Sequence, residues 1–278
     1  TISERGGTSD MVLYIITSTE ITGPITFGGS GNEVGYHLQI TETGIVLVGY
    51  SDERGSKDIY LVVANRNGDE IWSKRYGHKS GEDIGRFVIP YNGNYLITGS
   101  TNYDTQLNVR NNKNIWLLEI APENRSPVNS VFIGGAGDDE GIALLSLTDG
   151  TIYLTGTVID DENNPGVYLA EFDQNLKMNW ERSYHEINPI NTSGICLWNN
   201  NIVVAGTHVL NESNSRISVL VLNKNGDLNR DYYIGEQTRL TASSVEMTTD
   251  KGLILSGTNE NRSSSMITII KLNEEGNL

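Results

Sequence analysis

The stretch Val46-Leu47-Val48-Gly49-Tyr50 decides the fold, because the chain repeats it four more times as an apolar segment closed by glycine and a small residue. The glycines of the five copies are 50, 57, 50 and 51 positions apart. The other copies are Leu96-Ile97-Thr98-Gly99-Ser100, Tyr153-Leu154-Thr155-Gly156-Thr157, Val203-Val204-Ala205-Gly206-Thr207 and Ile254-Leu255-Ser256-Gly257-Thr258. A period of this length, built from short strands and turns, predicts an all-β fold of the β-propeller type.

Each repeat reads as four strands, which we call a to d from the axis of the ring outward. Strand a follows an acidic-x-glycine signal such as Asp83-Ile84-Gly85, and strand b is the apolar segment that ends in glycine. Strand c is apolar and often ends in turn residues such as Asn67-Gly68, which suit a tight hairpin. Strand d carries aromatic residues and usually closes on glycine, as in Trp72 to Gly77. We therefore expect four-stranded antiparallel blades, with five blades favoured and six as the alternative.

The two ends of the chain predict how the ring closes. Residues 10–29 match a strand c followed by a strand d, whereas the last repeat supplies strands a, b and c only. We expect the N-terminal strand around Ile25 to Gly28 to close the last blade from outside, because this removes an exposed sheet edge. Residues 1–278 then form a single β-propeller domain. A strand at about residues 11–17 is left over and either adds to a blade edge or belongs to a larger ring.

Composition excludes some partners. The formal net charge of −15 argues against nucleic acid and against an anionic membrane surface, both of which need clustered Lys and Arg. Membrane association would require a lipid anchor or a partner, because no segment approaches the 18 apolar residues of a spanning helix. The single cysteine, Cys196, falls on a predicted inner strand, where we expect a small buried hydrophobe.

The order of the motifs resembles a bacterial repeat family. Trp-x3-Tyr/Phe-Gly, acidic-x-Gly, the strand that ends in glycine and the Asn-Gly-Asp turn follow one another over residues 10–278. This order resembles the short β-propeller repeats of secreted and outer-membrane-anchored lipoproteins of Gram-negative bacteria. The resemblance implies an extracytoplasmic protein, in the periplasm or at the cell surface, that captures a ligand or serves as a scaffold. The lipidated N-terminal cysteine of such proteins is absent here, which leaves anchoring open.

The b-to-c links vary most between repeats, and loops held by a rigid ring commonly carry binding residues. Drift of exposed loops explains this variation equally well. The candidate ligand contacts are Tyr103 and Asp104 in the longest link, His208 after strand b of the fourth repeat, and Trp198, which has no counterpart in the other repeats. The remaining tryptophans recur at repeat positions and are predicted core aromatics.

Two acidic links in the third repeat form the sharpest cluster of charge. Both links should open on the same face of one blade, so their six carboxylates could together bind Ca²⁺, the one metal or cofactor the sequence indicates. Solvated loop acids are the alternative. The residues are Asp138, Asp139, Glu140, Asp160, Asp161 and Glu162. For Asp139 we favour a hydrogen-bonding role in blade packing, because Glu33 and Asp83 occupy the same position in other repeats.

No set of catalytic residues can be assembled from the motifs. Glu246 is the only carboxylate within the aligned inner-strand segments, and no nucleophile elbow, Walker loop or zinc-binding HExxH motif is present. We therefore predict a non-catalytic extracytoplasmic propeller that binds a ligand or a partner protein through its loop face, as a subunit of a surface assembly. The alternative is a hydrolase or lyase whose acids converge on the central cavity, near Glu33, Asp83 and Asp139.

Overall fold

The computed structural model describes residues 9–104, 109–135, 137–185, 190–235, 239–260 and 264–278. These residues form β-strands joined by turns and contain no helix. Accordingly, no described segment is a helix of the length and apolarity needed to cross a membrane. The chain divides into two compact units, Thr1–Gly141 and Ile142–Leu278, each of which is described by itself. The single domain expected over residues 1–278 stays a prediction.

The first unit contains an N-terminal hairpin and two four-stranded antiparallel sheets. Its strands are β1 (Met11–Ile16), β2 (Ile21–Phe27), β3 (Glu33–Ile40), β4 (Ile45–Ser51), β5 (Asp58–Ala64), β6 (Glu70–Tyr76), β7 (Asp83–Tyr91), β8 (Asn94–Asp104), β9 (Val109–Ala121) and β10 (Ser126–Ile133). Strands β3 to β6 form one sheet in chain order, and β7 to β10 form the next. These are the predicted strands a to d of the first two repeats.

The second unit continues the same order. Its strands are β11 (Glu140–Ser146), whose first two residues belong to the first unit, β12 (Ile152–Ile159), β13 (Pro165–Phe172), β14 (Met178–Tyr184), β15 (Ile190–Trp198), β16 (Asn201–Asn211), β17 (Asn214–Leu222), β18 (Leu228–Ile234), β19 (Arg239–Met247), β20 (Leu253–Glu260) and β21 (Ser265–Leu272). Strands β11 to β14 and β15 to β18 are the third and fourth repeats. The fifth repeat has three strands, and one parallel bridge between Ser215 and Arg239 joins it to the fourth.

The N-terminal segment forms the predicted pair of strands. β1 and β2 are antiparallel, with Met11 opposite Phe27. Both residues are buried in a core that also contains Leu47, Tyr60 and Val62 of the first sheet. The closure of the last blade by the strand around Ile25 concerns both units and stays a prediction.

The recurrent glycine lies within strand b, and at three of its five positions the structure shows a steric reason for it. Strand a carries a β-bulge, so the β3 ladder slips between Gly35 and His37, and the β7 ladder slips between Gly85 and Phe87. At the bulge the neighbouring backbone leaves no room for a side chain. A Cβ on Gly99 would overlap the carbonyl oxygen of Ile84, and Gly49 and Gly257 meet the same obstacle. At these three positions any side chain would therefore overlap the backbone of the neighbouring strand.

Apolar strands fill the cores. Every residue of β5 is buried, which is typical of a strand covered on both faces of its sheet. In the second unit, Cys196 belongs to a core with Trp198, Val203 and Val219, as predicted for a small buried hydrophobe. Burial raises the pKa of the Cys196 thiol to about 12, so the sulfur stays protonated and unreactive at neutral pH.

Candidate functional site

The first unit contains a cavity of about 360 Å³, which is large enough for a small organic ligand. Four aromatic side chains line it together with five polar residues. The aromatic residues are Tyr76, Tyr103, Trp116 and Phe132, and the polar ones are Lys74, Arg75, His78, Asp83 and Thr101. A mainly apolar wall with a few converging polar groups is typical of ligand sites.

The aromatic rings hold one another in place. Trp116 stacks on Phe132 with ring centroids 5.8 Å apart, and its indole nitrogen donates a hydrogen bond to Ser130 Oγ at 2.7 Å. His78 stacks on Tyr103 at 3.5 Å with nearly parallel rings. Because Trp116 also packs against the core of this unit, it combines the predicted core role with a position on the cavity wall.

Asp83 is the carboxyl group of the cavity wall. It is the first residue of β7, and its backbone N–H donates to the carbonyl of Lys57 at 2.7 Å. Its Oδ2 accepts a hydrogen bond from the His78 amide at 2.8 Å. Burial is the main cause that raises the pKa of Asp83 to about 6, and the nearby charge of Asp58 adds to this. Hydrogen bonds from Thr101 and His78 act in the opposite direction.

Asp58 lies beside Asp83. It is the first residue of β5 and is fully buried, and burial raises the pKa of its carboxyl as well. A Cβ on Gly77 would overlap both Asp58 Oδ1 and Asp83 Oδ2, so the two carboxyls meet at this glycine. Within the described part of the chain, neither Asp58 oxygen has a hydrogen-bond partner. Its nearest cation is the Arg54 guanidinium at 3.7 Å.

The same arrangement recurs in the neighbouring repeats. Oxygens of Asp10 and Glu33 meet at Gly28, and those of Asn114 and Asp139 meet at Gly134. Glu33 accepts a hydrogen bond from the Gly29 amide at 3.1 Å, and Asp139 accepts one from the Gly135 amide at 2.8 Å. The acid at the start of strand a therefore ties down the link that precedes it. Asp139 thus accepts a hydrogen bond, as predicted, and its role in blade packing stays a prediction.

The three pairs of side chains that meet at these glycines differ in charge. Glu33 lies 3.5 Å from the Arg75 guanidinium and accepts a hydrogen bond from Ser51 Oγ at 2.6 Å, so its charge is compensated. Asp139 faces the neutral amide of Asn114. The third pair consists of Asp58 and Asp83. Among the described residues, it is the pair in which both members are buried carboxyls and one of them, Asp83, lines a cavity.

The structure places one predicted ligand contact, Tyr103, on the cavity wall. The backbone of Asp104 ends β8, but its side chain lies outside the described residues. Trp198 lies instead in the core of the second unit, where its indole nitrogen donates to the Lys251 carbonyl at 2.7 Å. His208 is also buried there, and its Nδ1 accepts a hydrogen bond from Arg216 Nε at 3.1 Å. Burial and the Arg216 charge lower the pKa of His208.

Three carboxyls of the acidic links, besides that of Asp139, have partners close by. Asp138 accepts a hydrogen bond from the Lys113 amide at 2.8 Å, and Glu140 pairs with Arg86 at 2.7 Å. Asp160 accepts hydrogen bonds from the amides of its own turn, which lower the pKa of its carboxyl. Over the described ranges, no three His, Cys, Asp or Glu side chains are grouped so as to hold a metal ion. The convergence of the two links on Ca²⁺ stays a prediction.

The pairing of Asp58 with Asp83 was not predicted from the sequence. The sequence does contain a pattern that indicates it. A polar residue directly precedes the apolar run of strand c in three successive copies of that strand: Asp10, Asp58 and Asn114. Polar residues next to a fully buried strand need partners, and an aligned set of them indicates a shared contact.

The sequence matches no protein-family model and no curated protein. Solved structures resemble it in fold. A protein of unknown function from Bacteroides caccae is 15% identical, with a TM-score of 0.50 over 82% of this chain and 72% of that chain. The exo-β-1,3-galactanase of Phanerochaete chrysosporium is 13% identical, with a TM-score of 0.54 over 90% of this chain but only 63% of that chain. The endo-arabinase of Bacteroides thetaiotaomicron is 11% identical, with a TM-score of 0.54 over 88% and 96%.

The fold defines the class of the protein. At these identities the likeness concerns the fold, and together with the repeated antiparallel sheets it shows that the chain is an all-β β-propeller protein. The predicted fold class is confirmed. The resemblance to bacterial lipoprotein repeats is not tested by these similarities and stays a prediction.

The predicted non-catalytic binding or scaffold function is wrong. The galactanase and the arabinase, which resemble the chain in fold, are hydrolases, and neither is a scaffold or a ligand-capturing lipoprotein. The prediction depended on the lack of paired acids in the sequence motifs, and the fold brings Asp58 and Asp83 together at Gly77.

Proposed function

We propose that the protein is a hydrolase that cleaves glycosidic bonds in the cavity of its first unit. The observation that carries this proposal is Asp83, a buried carboxyl on an aromatic cavity wall, with a pKa raised to about 6 beside a second buried carboxyl. A carboxyl that titrates near the ambient pH suits general acid catalysis, because it holds a proton and still releases it readily.

The pair can supply the proton that glycoside cleavage needs. Two carboxyls that are close together resist ionising at the same time, so one proton is retained between them. Asp83 donates this proton to the leaving oxygen of the glycosidic bond, and water supplies the hydroxyl of the new sugar end. The Asp83 carboxylate then recovers a proton from that water. Asp58 acts through its charge, which keeps the proton on Asp83 before cleavage.

The cavity wall supports a carbohydrate substrate. The C–H faces of a sugar ring pack against aromatic rings, and Tyr76, Trp116 and Phe132 provide such surfaces. The galactanase and the arabinase that share the fold are named for polysaccharide substrates, which supports the same class of bond. We place this activity outside the cytoplasm, in the periplasm or at the cell surface, where such polymers are met.

The test compares Asp83 with its counterpart in the next repeat. Wild-type protein, D83N and D139N are assayed on para-nitrophenyl glycosides, a galactan and an arabinan. Asparagine keeps the acceptor for the backbone amide in both variants, so each should fold. We expect D83N to lose about 100-fold or more in kcat, as is usual when a general acid is removed. D139N, whose partner is the neutral Asn114, should keep most of the activity.

The pH profile gives a second readout. Because Asp83 must be protonated to act as the acid, kcat/KM should fall as the pH rises through about 6. An equal loss of activity in D83N and D139N would show that both acids serve only to hold the backbone. Absence of hydrolysis across the whole panel would reject the proposed function.

A further inference from the structure

The charges on the cavity wall are unusual for so acidic a chain. The net charge is −15, yet three of the lining residues are basic or can become so, against the single carboxyl of Asp83. The positive charge of Arg75 is already compensated, because its guanidinium pairs with Glu33 and Glu53. The charge that requires explanation is therefore that of Lys74.

Lys74 has no carboxylate partner in the described part of the chain. Its ammonium donates one hydrogen bond, to the Arg125 carbonyl at 2.6 Å, and lies 5.4 Å from the centre of the Tyr76 ring. The Tyr76 hydroxyl donates to the same carbonyl at 3.1 Å, so the position of this acceptor is well defined. An ammonium has three donors, and two of them remain for other groups.

The surroundings of Lys74 favour an anion over a neutral ligand. The side chain is only partly exposed, so its charge is less well hydrated than that of a lysine on an open surface. Asp83 compensates it poorly, because a carboxyl with a pKa near 6 keeps its proton through the acidic range. A ligand anion would therefore gain a charge-assisted hydrogen bond there without displacing an existing ion pair.

We propose that the cavity binds an acidic sugar, whose carboxylate or sulfate group pairs with Lys74 while the sugar ring packs on the aromatic wall. This inference rests on the proposed function and adds the substrate class to it. A lysine is a compact point charge that imposes no two-pronged geometry, so it accepts either kind of anion.

The experiment measures binding to the full chain by calorimetry, without turnover. The probes are D-galacturonate and galactose-6-sulfate, with D-galactose as the neutral reference. The variants are K74Q, K74R and K79Q. K79Q is the matched control, because it removes one positive charge from an exposed lysine that does not line the cavity.

We expect the wild type to bind at least one acidic sugar roughly tenfold more tightly than galactose, a preference that raised salt should reduce. K74Q should lose this preference, whereas K74R and K79Q should keep it. The tighter of the two anionic probes identifies the group that is recognised. Equal affinity for galactose, no binding by any probe, or an unchanged preference in K74Q would overturn the proposal.

The two proposals can fail separately. If galacturonate binds through Lys74 but no glycoside is hydrolysed, the hydrolase fails and the acidic-sugar site stands. If hydrolysis depends on Asp83 while neutral glycosides are preferred and K74Q behaves as the wild type, the hydrolase stands and the acidic-sugar site fails.

Discussion

The carboxyl of Asp83 serves two purposes that compete with each other. Its Oδ2 accepts the His78 amide and so fixes the link before β7, as the equivalent oxygens of Glu33 and Asp139 do in their repeats. Burial beside Asp58, however, makes the charged form unfavourable and raises the pKa to about 6. A group that only had to accept a hydrogen bond would be less costly as an amide. The presence of an acid at this position is therefore consistent with a use for its proton.

This raised pKa predicts a pH dependence of stability. The folded protein holds the Asp83 proton up to about pH 6, whereas the unfolded chain releases it near 3.8. The stabilising contribution is therefore fully present below about pH 4 and is lost as the pH rises through about 6. We expect the free energy of unfolding in urea to fall over this window less steeply in D83N than in the wild type.

Asp161, an exposed carboxyl of the second unit, provides the matched control. D161N changes the net charge by the same amount and should keep the slope of the wild type. The burial argument would be contradicted if D83N and the wild type lost stability in parallel between about pH 4 and pH 6.

At the scale of the element, the bulge in strand a and the glycine in strand b form one unit of structure. The β7 ladder slips after Gly85, and this brings the Ile84 carbonyl to the place where residue 99 would carry its Cβ. The same relation holds for Val34 and Gly49 and for Thr241 and Gly257. The recurrent glycine of the sequence thus indicates a bulge on the neighbouring strand, because no side chain fits on strand b opposite the bulge.

We expect G99A to destabilise the fold by about 1–3 kcal/mol, because one methyl group must displace backbone in a tightly packed sheet. G135A is the control, since a Cβ at Gly135 would meet no described atom within 4 Å. Urea denaturation should show a clear loss for G99A and little change for G135A. A midpoint for G99A equal to that of the wild type would mean that the sheet adjusts at no cost and that the glycine is incidental.

At the scale of the whole molecule, the acidic composition opposes folding through self-repulsion among exposed charges. The net charge is −15, and the acidic links of the third repeat add local density. Several carboxylates of these links are already hydrogen-bonded or paired, as Asp138 is with the Lys113 amide and Glu140 with Arg86. Screening by salt is therefore expected to matter more than capture of a particular ion.

We expect NaCl to raise the Tm by weakening this repulsion, and CaCl₂ of equal ionic strength to raise it by a similar amount. Thermal melting in the two salts measures the difference directly. A further rise with millimolar Ca²⁺ would instead support the predicted metal site, because an ion that binds only the folded state stabilises it in proportion to its occupancy.

The sequence by itself determined the repeat, the order of the strands and the alignment of an acid before strand a in the first three repeats. These properties are local, since the alternation of a strand, the conformation of an Asn-Gly turn and the glycine at a bulge each leave a mark within a few residues. The tertiary structure alone decided that Asp58 meets Asp83 at Gly77, that Tyr103 joins a cavity, and that Trp198 enters a core. The convergence of side chains depends on how one sheet packs on the next, and the repeat period does not predict that packing.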